Sequence, residues 1–197
     1  MFFKIVHSAI LPILRAFFRV VFFARVTGRE KILKSGGFIA CANHTSNFDP
    51  VFLGCFTPRK INYLATRELF KNKLFGWFLS GLGVIPITRG GSDISTLKAV
   101  ISLLKKGGGM TVFPEGTRNL SDINDVKSGA VLFAIKGRVP IQPAVIVGKY
   151  KPFGGIRLIF GDPIYYDEYY DKKLSDSDLH ELSVDLMKRI YSLAEVK

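Results

Sequence analysis

Acidic side chains are scarce over most of this 197-residue chain. Residues 162–197 hold nine of the 16 Asp and Glu, which leaves seven against 23 Lys and Arg in residues 1–161. Within a formal net charge of +12 the body is thus strongly basic. It calls for an anionic partner: nucleic acid, lipid head groups or phosphorylated substrates. Cysteine is rarer still. Cys41 and Cys55 sit in apolar contexts without metal-ligand spacing. That excludes a disulfide scaffold and reads as two buried free thiols of a reducing compartment. The chain carries no internal repeat, no low-complexity tract, and none of G-x4-G-K-[ST], H-E-x-x-H or G-x-S-x-G. P-loop nucleotide binding, zinc proteolysis and serine esterase chemistry therefore lack support. What is plentiful is apolar surface: 48% hydrophobic residues and 17 Phe, which excludes disorder. The length suits one domain with a real core.

Long uncharged runs are also missing. The N-terminal stretch "MFFKIVHSAILPILRAFFRVVFFAR" is interrupted by Lys4, Arg15 and Arg19, short of the ~18–20 apolar residues of a spanning helix. It lacks the small-residue cleavage site of a secretory signal. At about 100° per residue, Lys4, Ser8, Arg15 and Arg19 share one side. Phe2, Phe3, Val6, Ile10, Ile13, Phe17 and Val20 cover the other, and Pro12 kinks or splits the helix. The pattern suits a helix lying in a membrane interface with Arg and Lys snorkelling to phosphates. A core-packed helix and a crooked span are the alternatives. Residues 1–28 are therefore read as a membrane-associated helical segment and residues 29–197 as the α/β domain.

Past residue 35, short apolar runs alternate with helical patterns. Strands are expected at "GFIACA" (37–42), "INYLA" (61–65) and "GVIPI" (83–87), the last at an edge or bulge because of Pro86. Helices are expected at 50–56, 68–82 and 92–109, the last capped by Ser92 and ended by Gly107. "MTVF", "SGAVLFAIK", "VPIQPAVIV" and "IRLIF" continue the series, and an acidic amphipathic helix (175–196) closes it. This alternation argues an α/β fold with a mostly parallel sheet flanked by helices. Ligands of such sheets sit beyond the carboxyl ends of strands, and His44, Arg89 and Glu115 all fall just past one.

Taken singly, those polar groups keep two readings each. In "NHTSNFDP" (43–50) Asp49-Pro50 is a good helix start, and His44 five residues earlier is either a turn residue or a base oriented by Asp49. On a helix, positions i and i+5 lie about 140° apart, so the two meet only across a turn. Arg89, before Gly90-Gly91, either binds a phosphate through two parallel hydrogen bonds or is a solvated loop residue. "VFPEGTR" (112–118) gathers Glu115, Gly116, Thr117 and Arg118 into a turn that holds a phosphate and a hydroxyl, or only a local ion pair. "VPIQPAV" (139–145) is more wall than catalyst. His7 and His180 read as a helix flank and a surface residue.

These segments in this order resemble the glycerolipid acyltransferase family, best known for 1-acyl-sn-glycerol-3-phosphate acyltransferases. The likeness rests on Asn43 to Asp49, Gly83 to Arg89, Phe113 to Arg118 and Val139 to Pro143, and spans about residues 36–150. Many family members carry Lys where this chain has Thr66, which leaves one phosphate contact unfilled, with Arg67 next in line. The resemblance implies acyl transfer from acyl-CoA or an acyl carrier protein to the free hydroxyl of lysophosphatidate, giving phosphatidate. His44 would be the general base and Asp49 its orienting carboxylate. Arg89 and Arg118 would hold the phosphate, with Glu115, Gly116 and Thr117 about the glycerol. No metal and no cofactor beyond the acyl-donor substrate is implied. A bilayer is the expected partner, with the chain peripheral or monotopic on its cytoplasmic face. Nucleic acid is not expected, because charge alone suggests it and no recognised motif accompanies it.

Overall fold

Two apolar runs, Phe38–Ala42 and Ile141–Val147, lie side by side in the middle of one sheet. The computed structural model describes residues 10–81, 83–87, 94–118 and 121–195. In chain order these form α1 (Leu11–Val21), β1 (Arg25–Thr27), β2 (Phe38–Ala42), α2 (Asp49–Phe56), β3 (Ile61–Thr66), α3 (Lys73–Gly81) and β4 (Val84–Ile87). There follow α4 (Ile94–Lys105), β5 (Gly109–Val112), α5 (Gly129–Gly137), β6 (Ile141–Val147), β7 (Arg157–Phe160) and α6 (Asp176–Ser192). The sheet order is β1-β7-β6-β2-β5-β3-β4, parallel throughout except between β6 and β7. The expected α/β architecture is therefore the observed one.

Burial on both faces explains why β2 reads as an unbroken apolar run. Its side chains alternate. Ile39 and Cys41 join Val100, Leu104, Val131, Ile135, Leu186 and Ile190 on the side of α4, α5 and α6. Phe38, Ala40 and Ala42 join Phe18, Phe52, Phe56 and Ile146 on the side of α1 and α2. Cys41 and Cys55 fall in these two opposite layers, both buried and free, as their sequence contexts imply. Burial raises both thiols above the ordinary cysteine range, Cys55 to about 11.

Two local features depart from the sequence reading, and two others follow it as far as the described residues go. The helix expected over 68–82 breaks in two: Arg67–Phe70 is a 3-10 turn and α3 begins at Lys73, where Asn72 Oδ1 accepts from Leu74 N at 3.0 Å. Within the segment read as helical, Arg25–Thr27 is a strand paired with β7. The expected cap Ser92 lies outside the described residues, whereas Gly107 takes the left-handed φ of 81° that ends α4. Pro86 sits on β4, an edge strand, where its missing N–H costs no ladder bond.

Of the basic residues of α1, Arg15 is half-buried and Arg19 is exposed. Arg15 Nε donates to the Cys55 carbonyl, and Arg19 lies 5.6 Å from the Phe56 ring centroid. Arg29 Nε donates to the Phe56 carbonyl at 2.9 Å. Arg15 and Arg29 thus meet orphan carbonyls at the end of α2, where the helix dipole favours cations, and Arg19 lies over the Phe56 ring beside them. Phe18 (1% exposed) and Phe22 pack into the core, while Ile13 (68%), Phe17 and Val20 face outward. No helix among the described residues is long and apolar enough to cross a membrane.

Candidate active site

Strand β2 ends at Ala42, and Asn43 carries its hydrogen bonding one residue further through the side chain. Asn43 Nδ2 donates to the Ile146 carbonyl at 3.0 Å, and Asn43 Oδ1 accepts from Ile146 N at 2.7 Å. That pins the start of the turn to β6 while the chain reverses over residues 44–48. Asp49 N closes the reversal on Ser46 O at 3.1 Å.

The Asp49 side chain is fully buried and engaged at both oxygens. Oδ2 accepts from Thr45 N at 2.6 Å and Ser46 N at 2.7 Å, and faces His44 Nδ1 at 2.8 Å. Oδ1 accepts from the Tyr150 hydroxyl at 2.7 Å, with Thr45 Oγ1 at 3.5 Å. Burial opposes ionisation, but the hydrogen bonds from His44, Ser46, Tyr150 and Thr45 outweigh it and hold the carboxyl below its ordinary range. An ionised carboxylate only accepts, so the hydrogen between the two side chains belongs to His44 Nδ1. In the neutral tautomer with that hydrogen on Nδ1, Nε2 carries the lone pair. Asp49 is the first residue of α2, and its carboxylate turns back to Thr45 and Ser46, with no side-chain cap at the helix start. It orients His44 but is not the helix cap that the sequence suggested.

The His44 ring, 19% exposed in its side chain, stacks on Phe113 with centroids 4.4 Å apart and planes at 23°. Phe113 follows β5, the neighbour of β2, so the second motif meets the first across adjacent strand ends. Beyond it, Gly116 N closes a turn on Phe113 O at 3.1 Å, and Gly116 holds φ 65°. A Cβ at Gly116 would meet Lys127 Cγ at 2.9 Å, so glycine answers both a conformational and a spatial demand. Glu115 is 2% exposed, and its Oε1 accepts from the Tyr191 hydroxyl of α6 at 2.8 Å. Gly116, Thr117 and Arg118 are exposed.

The structure therefore brings His44, Asp49 and the Phe113 end of "VFPEGTR" together. Arg89 lies outside the described residues, as does His7. Thr66 ends β3, and Arg67 opens the exposed side of the following turn. His180 sits half-buried on α6. Gln142, in the apolar fourth segment, is buried and donates to the Gly161 carbonyl at 2.6 Å, as suits a wall. No cluster of His, Cys, Asp and Glu among the described residues has metal-holding geometry.

Sequence reasoning missed Tyr150 and Tyr191. Burial, then the adjacent Asp49 charge, pushes the Tyr150 phenol well above its ordinary value, so it stays a donor. The available signal was positional: Tyr150 stands just past the carboxyl end of β6, as His44 stands past that of β2. Using it required knowing that β2 and β6 are neighbours.

Residues 23–147 match the family model described as Acyltransferase. The chain is 34% identical over 152 residues to a 1-acyl-sn-glycerol-3-phosphate acyltransferase of Bacillus subtilis, covering 74% of this chain and 75% of that one. It is 32% identical over 165 residues to an enzyme of the same description from Streptococcus pneumoniae, covering 80% of this chain and 61% of that relative. Its fold is similar to the crystal structure of the 1-acyl-sn-glycerophosphate acyltransferase of Thermotoga maritima. That likeness has a TM-score of 0.71 and 26% identity, over 99% of this chain and 82% of that one.

Proposed function

The chain belongs to the acyltransferase family, and we propose that it moves a fatty acyl group from a thioester to the sn-2 hydroxyl of 1-acyl-glycerol 3-phosphate. The relatives' shared description supports that acceptor. The observation that carries the chemistry is the 2.8 Å contact between His44 Nδ1 and Asp49 Oδ2, which leaves Nε2 as the base.

His44 Nε2 takes the proton of the acceptor hydroxyl as its oxygen attacks the thioester carbonyl carbon. The C–O bond forms, the tetrahedral intermediate collapses, and the C–S bond breaks. The imidazolium returns its proton to the leaving thiolate, so ester and free thiol are the products. Asp49 stays ionised and stabilises the imidazolium, and Tyr150 fixes the carboxylate that does so. General-base help of this kind supplies ~10²–10⁴-fold, and positioning supplies much of the rest. Arg118, exposed beside Thr117 on a turn shaped by Gly116, holds the acceptor phosphate together with Arg89. Glu115 acts on the glycerol from the buried side of that turn. The donor is acyl-CoA or an acyl carrier protein thioester; each is polyanionic and suits the basic body.

The acceptor is an amphiphile, so the site works at a lipid surface. The outward apolar side of α1, with Ile13, Phe17 and Val20 exposed, supports a peripheral or monotopic attachment to a membrane, and this reading puts it on the cytoplasmic face. The deciding experiment offers the enzyme a radiolabelled acyl thioester with 1-acyl-glycerol 3-phosphate, glycerol 3-phosphate or a zwitterionic lysophospholipid. Labelled phosphatidate from the first acceptor, and little product from the others, is the expected result. Preferred transfer to either of the others contradicts the assignment.

A further inference from the structure

Between β6 and β7 the chain runs "GKYKPFGG" (148–155), and its tip is clasped to the end of α1. Phe153 N donates to Val21 O at 2.7 Å, and Gly155 N and Ile156 N both donate to Phe22 O at 3.2 Å. These bonds satisfy carbonyls that the helix end leaves open. The Phe153 ring packs on Phe23 with centroids 5.2 Å apart, yet the two residues are 68% and 51% exposed. Both hold left-handed backbone, at φ 60° and 48°, a region that bulky L residues rarely adopt. Glycines stand next to Phe153 at 154 and 155, so the strained, water-facing position is not left to the residue that would occupy it without strain. Lys149 and Lys151 are exposed on the same turn. On α1, to whose end the turn is clasped, Phe17 and Val20 are exposed as well.

We propose that this turn is a second lipid-contacting element, in which Phe23 and Phe153 enter the head-group region of an anionic phospholipid bilayer while Lys149 and Lys151 meet its phosphates. The inference rests on the reading that α1 lies against a membrane. Two paired rings fixed outward lose their exposure to water there, and aromatic side chains favour that depth. The flanking lysines match the sign of the surface. The same turn carries Tyr150, whose hydroxyl holds Asp49 at 2.7 Å and whose ring lies 5.5 Å from that of Phe48, itself half exposed. The lipid contact therefore sits beside the residues that take an acceptor from the bilayer.

The test is sedimentation of the full chain with phosphatidylcholine vesicles, with and without phosphatidylglycerol, using three variants. Phe153→Asn keeps a residue that tolerates the left-handed backbone and should weaken partition to both vesicles by about tenfold. Lys149→Gln with Lys151→Gln should weaken binding to the anionic vesicles alone, by about fivefold per lysine. Both should keep acyl transfer in detergent micelles near the wild-type rate, which shows that they fold. Val20→Asn reports on α1 by itself. If Val20→Asn loses binding and the turn variants do not, the membrane reading of α1 stands and the turn proposal falls. If no variant changes binding, or wild type does not sediment, both fall. If the lysine variant binds vesicles normally but needs more acyl carrier protein thioester, the turn serves the donor and the proposal is overturned.

Discussion

The Tyr150 hydroxyl donates to Asp49 Oδ1 at 2.7 Å, the oxygen opposite the one that faces His44. Residues 101 positions apart thereby fix the carboxylate from two sides. Tyr150→Phe removes that bond and keeps the ring among Phe18, Phe22, Phe48 and Phe52. A lost hydrogen bond to a charged group costs ~1.5–3 kcal/mol. The variant should lose kcat by about tenfold or more at nearly unchanged KM for the acceptor. Steady-state kinetics in micelles check this; a rise in KM with kcat intact would place Tyr150 on the substrate instead.

Asp49 also makes stability depend on pH. Its folded pKa lies below the ordinary value, so the unfolded chain binds the proton more readily than the native one. The ionised network therefore contributes fully above the unfolded value of about 3.9 and is lost as pH falls through the lower, folded value. Asp49→Asn offers one accepting oxygen where the carboxylate offers two, and should cost ~2–4 kcal/mol at neutral pH. Urea unfolding of both proteins at neutral pH and near pH 3 tests the sign: the gap between them should narrow in acid. A gap that widens there contradicts it.

Much of this arrangement is legible in the sequence. "GFIACA" reads as a buried strand because both of its faces are covered, and Pro86 marks an edge because it cannot donate. The five-residue step from His44 to Asp49 implied a turn, and a turn is what Ser46 closes. Other features depend on pairings that no local pattern encodes. Tyr150 reaches Asp49 because β6 lies beside β2, and Tyr191 reaches Glu115 because α6 folds back over the sheet. Arg15 meets the Cys55 carbonyl and Arg19 the Phe56 ring through tertiary packing that periodicity does not encode. Periodicity tells which residues share a side, but not whether that side meets water, lipid or the end of α2. The break at Asn72 was written in the sequence, as a capping residue inside an otherwise helical run.

Arg118 should separate binding from chemistry. It is exposed on the turn after Gly116. In this account Arg118→Ala loses charge-assisted contacts to the acceptor phosphate, worth ~1.5–3 kcal/mol. KM for 1-acyl-glycerol 3-phosphate should rise by at least about tenfold, with kcat within a few-fold of wild type. Raising inorganic phosphate should inhibit wild type more than the variant. Equal inhibition, with KM unmoved, would remove Arg118 from the phosphate site.

The most direct test of the central claim is a single comparison of wild type with His44→Ala. Transfer from a radiolabelled acyl thioester to 1-acyl-glycerol 3-phosphate is followed in micelles, with circular dichroism showing that the variant is folded. The account predicts labelled phosphatidate from wild type and a rate at least ~10²-fold lower from the variant, the share that a positioned general base supplies. A folded His44→Ala protein that matches wild type would contradict it, and would leave His44 a turn residue stacked on Phe113.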